Sequence, residues 1–353
     1  MDKLLTVIVP TYNMEHLLPR CLDSLVVDDQ ATWEKLEVLV VNDGSKDASS
    51  AIAHEYQRKY PNVFRVIDKE NGNYGSCINC GLKDAVGKYV KILDADDYFI
   101  STSLNKLLER LEDIDVDVVI TNFSMVNPRG DVVADKSFSL PENKVTDFAQ
   151  LYTTNTFSCI EMHAIAYLRE NLIKMGYRQT EGISYTDQEW MFLPMSVAKS
   201  FYYLPENLYQ YLVGRDGQTV DPSEFFKNIG QYFVVLLNTM EFYDKLQNIP
   251  TVNKYYLCKR ICSRIDDLFR IFLQMPPLAK NPEFEEFDLQ MKLKYPHIYS
   301  ETGHYSIISR WFPFHYLWIW RKTKSRRLVW ALFELYSGMS NIVRSFVSRW
   351  KTL

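Results

Sequence analysis

The sequence is short of cysteine and has no long apolar run. Six cysteines in 353 residues are too few for a disulfide scaffold and predict reduced thiols in a cytoplasmic chain. No uncharged stretch approaches the ~18 apolar residues of a membrane-spanning helix. The apolar start ends at Pro10, too early for a signal peptide, so no leader is expected. A G-x-G-x-x-G turn and a P-loop are also missing, which argues against dinucleotide and ATPase sites.

The composition is that of a folded globular protein, with 47% hydrophobic and 24% charged residues. The net charge of -4 conceals an uneven distribution. Residues 304–353 carry a single acid, Glu334, and a formal charge of +8, which leaves -12 for the rest. The nine basic residues of this tail are Arg310, Arg321, Lys322, Lys324, Arg326, Arg327, Arg344, Arg349 and Lys351.

The first ~120 residues alternate strand and helix patterns. Near-continuous apolar strands are predicted at 4–9, 36–41, 63–67 and 89–93, and a helical pattern follows each of the first three. Such strands predict an α/β fold with a mostly parallel sheet flanked by helices, in which ligands bind at the carboxyl ends of the strands.

The later sequence changes character and predicts three regions. Residues 1–220 form the α/β domain, with a mostly helical stretch from Val145 to Ala198 and strands around 201–213. Residues 221–303 form a mainly helical C-terminal domain, and residues 304–353 form a basic, aromatic, amphipathic tail.

Three carboxylates crowd one turn, Asp94-Ala95-Asp96-Asp97, directly after the fourth predicted strand. Their mutual repulsion favours a hard divalent cation, and Mg²⁺ or Mn²⁺ prefers one or two carboxylates together with phosphate oxygens and water. A plain turn or helix start is the alternative, because aspartate suits both. The position beside two other polar loops favours the metal site.

Four motifs follow one another in the first hundred residues. They are Val-Pro-Thr-Tyr-Asn (9–13), Asn-Asp-Gly-Ser-Lys-Asp (42–47), Asn-Gly-Asn-Tyr-Gly-Ser (71–76) and Leu-Asp-Ala-Asp-Asp (93–97). Together they resemble family 2 glycosyltransferases of the GT-A (Rossmann-like) fold, and the resemblance covers about the first 215 residues. It implies a nucleotide-sugar donor, a divalent metal and inversion at the anomeric carbon.

The resemblance also assigns roles by position. Asp43 contacts the nucleoside, Asp94 lies near the ribose, and Asp94 and Asp96 hold the metal–diphosphate unit. The remaining donor-binding residues that it implies are Pro10, Thr11, Tyr12, Asn13, Asn71, Ser76 and Ala95. Arg215, in a Gly-flanked loop, is predicted to clamp the diphosphate, with a solvated turn residue as the alternative. One departure is Cys77-Ile78-Asn79, where many members have Ala-Arg-Asn, so Lys91 or Arg215 is expected to replace the missing arginine.

An inverting transfer needs one carboxylate to take the proton from the acceptor hydroxyl. Family members carry an acidic pair at the start of a later helix, and the matching segment here is 183–190. Thr186 replaces the first acid, Asp187 fits the catalytic base, and Glu189 is the competitor. A helix cap is the structural alternative for Asp187.

Other features support weaker assignments. His163 can line the acceptor site or complete a metal shell, although a lone histidine more often packs in the core. The pairs Cys77/Cys80 and Cys258/Cys262 imitate zinc spacing, but they also suit packing one helical turn apart.

The tail combines basic residues with tryptophans, and its apolar residues from Leu328 to Trp350 have helical spacing, which is typical of an interfacial helix on an anionic membrane. A helix that packs on the body or contacts a partner is the alternative, and no nucleic-acid motif accompanies the charge.

The leading hypothesis is an inverting, metal-dependent glycosyltransferase that uses a UDP-sugar and a saccharide acceptor, expected on a lipid-linked glycan of a bacterial envelope. Its expected location is cytoplasmic, on the inner face of the cell membrane. The alternatives are a non-catalytic nucleotide-sugar-binding subunit of a membrane complex and a phosphatase with an Asp-x-Asp nucleophile. The phosphatase would need its motif on the first strand, where this sequence has none.

Overall fold

The computed structural model describes six stretches of the chain, which are residues 3–27, 29–153, 160–215, 222–274, 282–305 and 315–335. Within these stretches one mixed sheet contains ten strands. The strands are β1 (Leu5–Thr11), β2 (Leu36–Asn42), β3 (Phe64–Asp68), β4 (Tyr89–Ile92), β5 (Tyr98–Phe99), β6 (Val118–Val126), β7 (Val132–Lys136), β8 (Val145–Asp147), β9 (Ile165–Leu168) and β10 (Ser200–Leu212).

Helices cover the sheet and make up the C-terminal region. They are α1 (Leu18–Asp23), α2 (Gln30–Trp33), α3 (Ser49–Lys59), α4 (Asn73–Asp84), α5 (Ser101–Asp113), α6 (Arg169–Lys174), α7 (Asp187–Trp190), α8 (Pro222–Lys227), α9 (Ile229–Lys245), α10 (Thr251–Gln274), α11 (Pro282–Lys294), α12 (Pro296–Tyr305) and α13 (Tyr316–Thr323). Short 3-10 helices lie at Phe148–Thr153, Met162–Ala164 and Pro194–Ser196.

The first four strands form a parallel half-sheet in the order β3-β2-β1-β4. Every residue of β2 and β4 is buried, as the continuous apolar runs predict. Thr11 at the end of β1 pairs with Asn42 at the end of β2, so the polar motifs that follow these strands emerge at one edge. The predicted α/β fold and the parallel arrangement of these strands are confirmed.

The second half of the sheet is largely antiparallel. β9 pairs antiparallel with both β4 and β6, while β10 runs parallel to β6 and antiparallel to β5 and β8. The short strands β8 and β9 fall in the stretch from 145 to 198 that the sequence predicts as mostly helical. Three or four residues are too few for an alternating pattern to stand out, so their pairing depends on the neighbouring strands.

Helix α4 lies unusually close to its neighbours. A Cβ atom on Gly81 would come within 2.7 Å of the Ile8 side chain of β1. One on Gly75 would come within 2.0 Å of the Thr180 carbonyl oxygen. Glycine at these two positions therefore lets α4 contact both the sheet and the loop around residue 180.

The chain divides into two compact units, residues 1–235 with 246–257, and residues 236–245 with 258–353. The first unit extends past the predicted boundary at residue 220, because the Ser184 amide donates to Gln231 Oε1 and Tyr185 contacts Phe225 and Tyr232. The division into three domains with boundaries at 220 and 303 stays a prediction.

The second unit is helical, as predicted, and has its own aromatic core. The rings of Phe272 and Phe284 stack with centroids 4.1 Å apart, and Trp320 of α13 packs against Phe269. In α13, the buried Arg321 donates to Asp288 Oδ1 at 2.8 Å and to the Tyr299 carbonyl oxygen at 2.6 Å. This part of the basic tail is therefore anchored to the helical unit.

Within the described stretches, no helix combines the length and the apolar character that a membrane span requires.

Candidate active site

The loops after β1 and β2 are joined at the edge of the parallel half-sheet. The Asp43 amide donates to the Thr11 carbonyl oxygen at 2.8 Å, and the Asn13 amide donates to Ser45 Oγ at 3.0 Å. Asn13 Oδ1 in turn accepts from the Lys46 amide at 2.8 Å. Asn13 has φ +54°, a left-handed conformation that asparagine tolerates better than most residues. The predicted residues Pro10 to Asn13 thus lie directly beside Asp43.

A buried ion pair organises the side of the site next to β3. Lys69 Nζ lies 2.5 Å from Asp43 Oδ1 and donates to Ser76 Oγ at 2.9 Å. Asp43 Oδ1 also accepts from the Gly72 amide, and Asn71 Nδ2 donates to the Asp43 carbonyl oxygen. Asp43 and Ser76 therefore meet at the Lys69 amine, and Asn71 is bonded to the Asp43 backbone. The sequence analysis missed Lys69, although its position directly after β3, a parallel strand of the same half-sheet, marks the same edge.

The acidic turn after β4 places its three carboxylates in three different environments. Asp94 Oδ1 accepts from the Tyr74 hydroxyl at 3.0 Å. Burial, assisted by the charge of Asp96, raises the pKa of Asp94 to about 8. Asp97 is buried and accepts from the Tyr209 hydroxyl at 2.6 Å and from the Leu212 amide at 2.7 Å. Asp97 is therefore the carboxylate that ties the turn to β10.

Two arginines bind the middle of the acidic turn. Arg215 Nη2 lies 2.6 Å from Asp96 Oδ2, and Arg20 Nη2 donates to the Asp96 carbonyl oxygen at 2.8 Å. Arg20 also lies over the Tyr98 ring, 4.6 Å from its centroid. The small Ala95 side chain, between Asp94 and Asp96 in the sequence, is buried. Arg215 thus lies beside the predicted metal ligand Asp96, and its role toward a diphosphate stays a prediction.

A buried lysine holds His163 at the same edge. Lys91 Nζ donates to the His163 carbonyl oxygen at 2.6 Å, and burial lowers the pKa of Lys91 to about 7. The His163 ring stacks on Tyr211 with centroids 4.3 Å apart and meets Tyr209 edge-on. Burial lowers the pKa of His163 to about 4, so its imidazole is neutral at physiological pH.

The donor atoms of Asp94, Asp97 and His163 fit a divalent metal. One ligand atom from each lies within 4.8 Å of the others. His163 Nδ1 is buried and has no hydrogen-bond partner among the described residues. Carboxylate oxygens together with one neutral imidazole suit Mn²⁺, whereas Mg²⁺ would be bound by the carboxylate oxygens alone. Asp96, which the sequence predicts as a ligand, is not in this group because its carboxylate faces Arg215.

The predicted base lies on a loop held by α4. Asn79 Nδ2 donates to the Gln179 carbonyl oxygen, and Asn79 Oδ1 accepts from the Gln179 amide, both at 2.8 Å. The Gly182 amide donates to the Gly72 carbonyl oxygen at 2.9 Å. Asp187 begins α7 after this loop, and its charge contributes to the raised pKa values of Asp94 and Tyr74. Asp187 therefore shares the electrostatic environment of the acidic turn.

The competitor Glu189 has a different role. It is buried, and its two carboxylate oxygens accept from the amide and the hydroxyl of Thr180, both at 2.7 Å. Thr186, which replaces the usual first acid, is also buried and donates to Gln179. Both residues close the loop, and Asp187 is the carboxylate of this segment whose charge contributes to the raised pKa of Asp94.

The zinc alternative receives no support. Cys77, Cys80, Cys258 and Cys262 are free thiols. None of them belongs to a group of three or more metal-ligating side chains within the described stretches.

The chain matches proteins of known family. Residues 6–176 match the family model described as Glycosyl transferase family 2. The chain carries a glycosyltransferase family 2 domain. The family 2 domain accounts for all four motifs at the carboxyl edge, and it ends before the Asp187 loop.

Sequence similarity to curated relatives covers more of the chain than the family 2 domain does. The chain is 29% identical over 229 residues to the poly(ribitol-phosphate) beta-glucosyltransferase of Bacillus spizizenii, covering 63% of this chain and 35% of that protein. The chain spans only 31% to 35% of the length of the first curated relatives that it matches.

Solved structures confirm the predicted GT-A-type fold. Staphylococcus aureus TarS 1-349 in complex with UDP-GlcNAc has a TM-score of 0.58 at 23% identity, covering 85% of this chain and 79% of that chain. The mannosyltransferase PcManGT of Pyrobaculum calidifontis, in complex with GDP-Man and Mn²⁺, has a TM-score of 0.50 at 18% identity. It covers 86% of this chain and 84% of that one. At these identities the likeness concerns the fold.

Proposed function

We propose that this chain transfers a sugar from a UDP-sugar to a hydroxyl group of a saccharide. The transfer inverts the anomeric carbon and depends on Mn²⁺ or Mg²⁺. The observation that carries the proposal is that Asp43 and Asp94 follow parallel strands at one edge of a family 2 domain, where the charge of Asp187 acts on Asp94. The UDP-sugar and GDP-sugar complexes of the two structural neighbours support a nucleotide-sugar donor.

We assign the nucleoside to the side of the site next to β2. Asp43 can accept hydrogen bonds from a base or a ribose, and Tyr12 is 46% exposed beside it, so its ring can stack on the base. Thr11 and Pro10 form the floor at the end of β1. Asn71 and Ser76, held around Lys69, would lie along the donor.

We assign the diphosphate to the acidic turn and Arg215. A divalent metal bound there neutralises charge on the departing diphosphate. Asp94 and Asp96 are the predicted ligands, and the donor set around Asp94 also includes Asp97 and His163. Arg215 can form charge-assisted hydrogen bonds to the same phosphate oxygens. Lys91, the other substitute that the sequence suggests, is buried below His163 and holds a backbone carbonyl instead.

We assign the base to Asp187. It accepts the proton from the attacking acceptor hydroxyl, opposite the leaving diphosphate. Gln188 Nε2 donates to Asp187 Oδ2 at 3.2 Å, which helps to orient the carboxylate. Glu189 is held by Thr180 and does not compete for this role.

The proposal is tested by measuring UDP release from UDP-glucose, UDP-galactose and UDP-GlcNAc with saccharide acceptors and MnCl₂. Wild type is expected to release UDP, and Asp187→Asn is expected to lower kcat by roughly 10²–10⁴-fold with the UDP Kd unchanged. Glu170→Gln, on the exposed face of α6, is the matched carboxylate control and should behave as wild type. Asp187→Asn with normal turnover would refute the base. UDP binding without turnover in wild type would favour a non-catalytic binding subunit.

We further propose that the acceptor is part of a lipid-linked glycan and that the tail holds the enzyme on the inner face of the cell membrane. The support lies in the helical unit, where Trp318 and Trp330 are 53% and 52% exposed beside the exposed Lys322 and Arg327. Aromatic and cationic side chains together suit an anionic lipid interface. Arg321 and Lys324 contribute less to this surface, because both pair with Asp288. Residues 306–314 and 336–353 of the tail lie outside the described residues.

A further inference from the structure

Tyr185 has a backbone conformation that a tyrosine seldom adopts. Its φ is +67°, in the left-handed region, where a bulky side chain is an outlier. The other non-glycine residues with positive φ in the described stretches are four asparagines and Lys324. Asparagine or glycine would satisfy the backbone at 185 with less strain. Such strain persists where the surroundings hold it, and it concentrates at functional sites.

The Tyr185 ring belongs to an aromatic cluster with Phe225 of α8 and Tyr232 of α9. The three pairs of ring centroids are 5.5 to 5.6 Å apart, and all three pairs meet edge to face. Tyr232 is buried, whereas Tyr185 and Phe225 are half-buried. An edge-to-face arrangement with partial exposure leaves aromatic surface of Tyr185 and Phe225 open to solvent.

This cluster lies next to the proposed base. Tyr185 precedes Asp187 by two residues, and the Ser184 amide donates to Gln231 Oε1 at 2.8 Å, which holds the loop against α9. The pKa of the Tyr185 hydroxyl is raised, mainly by burial and to a smaller extent by the negative charges of Glu224 and Asp187. The aromatic surface is thus flanked by negative charge.

We propose that Tyr185 and Phe225 form the acceptor subsite and stack on a pyranose ring whose hydroxyl faces Asp187. The inference rests on the proposed function and specifies its acceptor. A sugar ring presents C–H bonds that pack on an aromatic face and carries no charge for Glu224 to repel. A polyol phosphate chain has neither property, because each repeat brings an anionic phosphate toward Glu224 and Asp187.

The test is saturation-transfer NMR on the full chain with UDP present, using two probes. They are methyl β-D-glucopyranoside and D-ribitol 5-phosphate. Wild type is expected to bind the pyranoside and to transfer saturation to its ring C–H protons. D-ribitol 5-phosphate should bind more weakly.

Three variants distinguish the contribution of the aromatic rings to pyranoside binding from that of the Tyr185 backbone conformation. Tyr185→Asn keeps a left-handed backbone but removes the ring, and it should weaken pyranoside binding roughly tenfold, or ~1.4 kcal/mol. Phe225→Leu should weaken it similarly, whereas Tyr185→Phe should bind as wild type. An unchanged UDP Kd in each variant shows that the domain is folded.

The inference is overturned by either of two results. One is that Tyr185→Asn binds the pyranoside as wild type does, and the other is that ribitol phosphate binds wild type as tightly as the pyranoside. Failure of the transferase proposal is distinguishable, because it would appear as absent UDP release while the NMR binding pattern persists.

Discussion

Arg215 and Asp96 form an ion pair, with Nη2 and Oδ2 2.6 Å apart. The two residues are expected to serve different ligands, since the arginine suits a diphosphate and the aspartate suits a metal. In the described structure each neutralises the other, and both side chains are mostly shielded from solvent. Binding of a metal–diphosphate unit would therefore break the Arg215–Asp96 ion pair. Arg215 would then contact the diphosphate, and Asp96 would contact the metal.

Arg215→Gln should change the affinities for the metal and for the diphosphate in opposite directions. Without the guanidinium, the Asp96 carboxylate should bind Mn²⁺ more tightly in the absence of nucleotide. UDP should bind roughly tenfold more weakly, because a hydrogen bond to a charged group contributes ~1.5–3 kcal/mol. Calorimetric titration with Mn²⁺ alone and with UDP measures both effects. Arg129→Gln, in an exposed turn, is the control, and a loss of affinity for both ligands would contradict the exchange.

Asn79→Ala should displace the Asp187 loop. Asn79 exchanges two backbone hydrogen bonds with Gln179 and donates a third to Glu181 Oε1. Their loss should lower the free energy of unfolding by ~1–3 kcal/mol. It should also lower kcat while the KM for the UDP-sugar stays near its wild-type value.

Glu181→Gln is the matched control for Asn79, because it removes the charge of the exposed partner and leaves both bonds to Gln179 in place. Chemical unfolding and initial-rate kinetics measure the two effects. A rise in donor KM with unchanged kcat would show that Asn79 serves the donor instead of the base loop.

Lys91 should make stability depend on pH. Its pKa is about 7 in the folded chain and near 10.5 when unfolded. Between these values the unfolded state holds a proton that the folded state lacks, so unfolding becomes less favourable as pH rises. Relative to Lys91→Met, wild type should therefore gain stability from pH 7 to 10, with a slope approaching ~1.4 kcal/mol per pH unit. Below pH 7 the difference should level off.

Urea unfolding at pH 6.5, 8 and 9.5 measures the Lys91 effect. Lys106→Met, at an exposed position on α5, should show no such trend. A difference between wild type and Lys91→Met that stays constant across these pH values would mean that the buried amine keeps its ordinary pKa.

The double variant Trp318→Ser with Trp330→Ser should weaken binding to anionic vesicles. Each exposed indole removed forfeits apolar area that an interface would bury. Co-sedimentation of the full chain with vesicles of 30 mol% phosphatidylserine measures this, and neutral vesicles supply the comparison. Trp33→Phe, in the first compact unit, is the control. Equal sedimentation of wild type and the double variant would refute membrane binding through these residues.

The sequence determined which loops form the site. The motifs at 9–13, 42–47 and 93–97 each follow an apolar strand, and the ends of parallel neighbours meet at one edge, so their convergence required no tertiary information. The same reasoning extends to Lys69 after β3. The helical spacing of apolar residues after residue 220 was also enough to predict a helical C-terminal region.

The tertiary structure decided which polar group does what. Asp97 is committed to Tyr209, 112 residues away, and Glu189 to Thr180, while the charge of Asp187 acts on Asp94. The tail divides in the same way, since Arg321 is anchored to Asp288, 33 residues earlier, while Lys322 stays exposed. A carboxylate or guanidinium has the same chemistry at each of these positions. Its burial and its distant partner set its role, and both arise only when the chain packs.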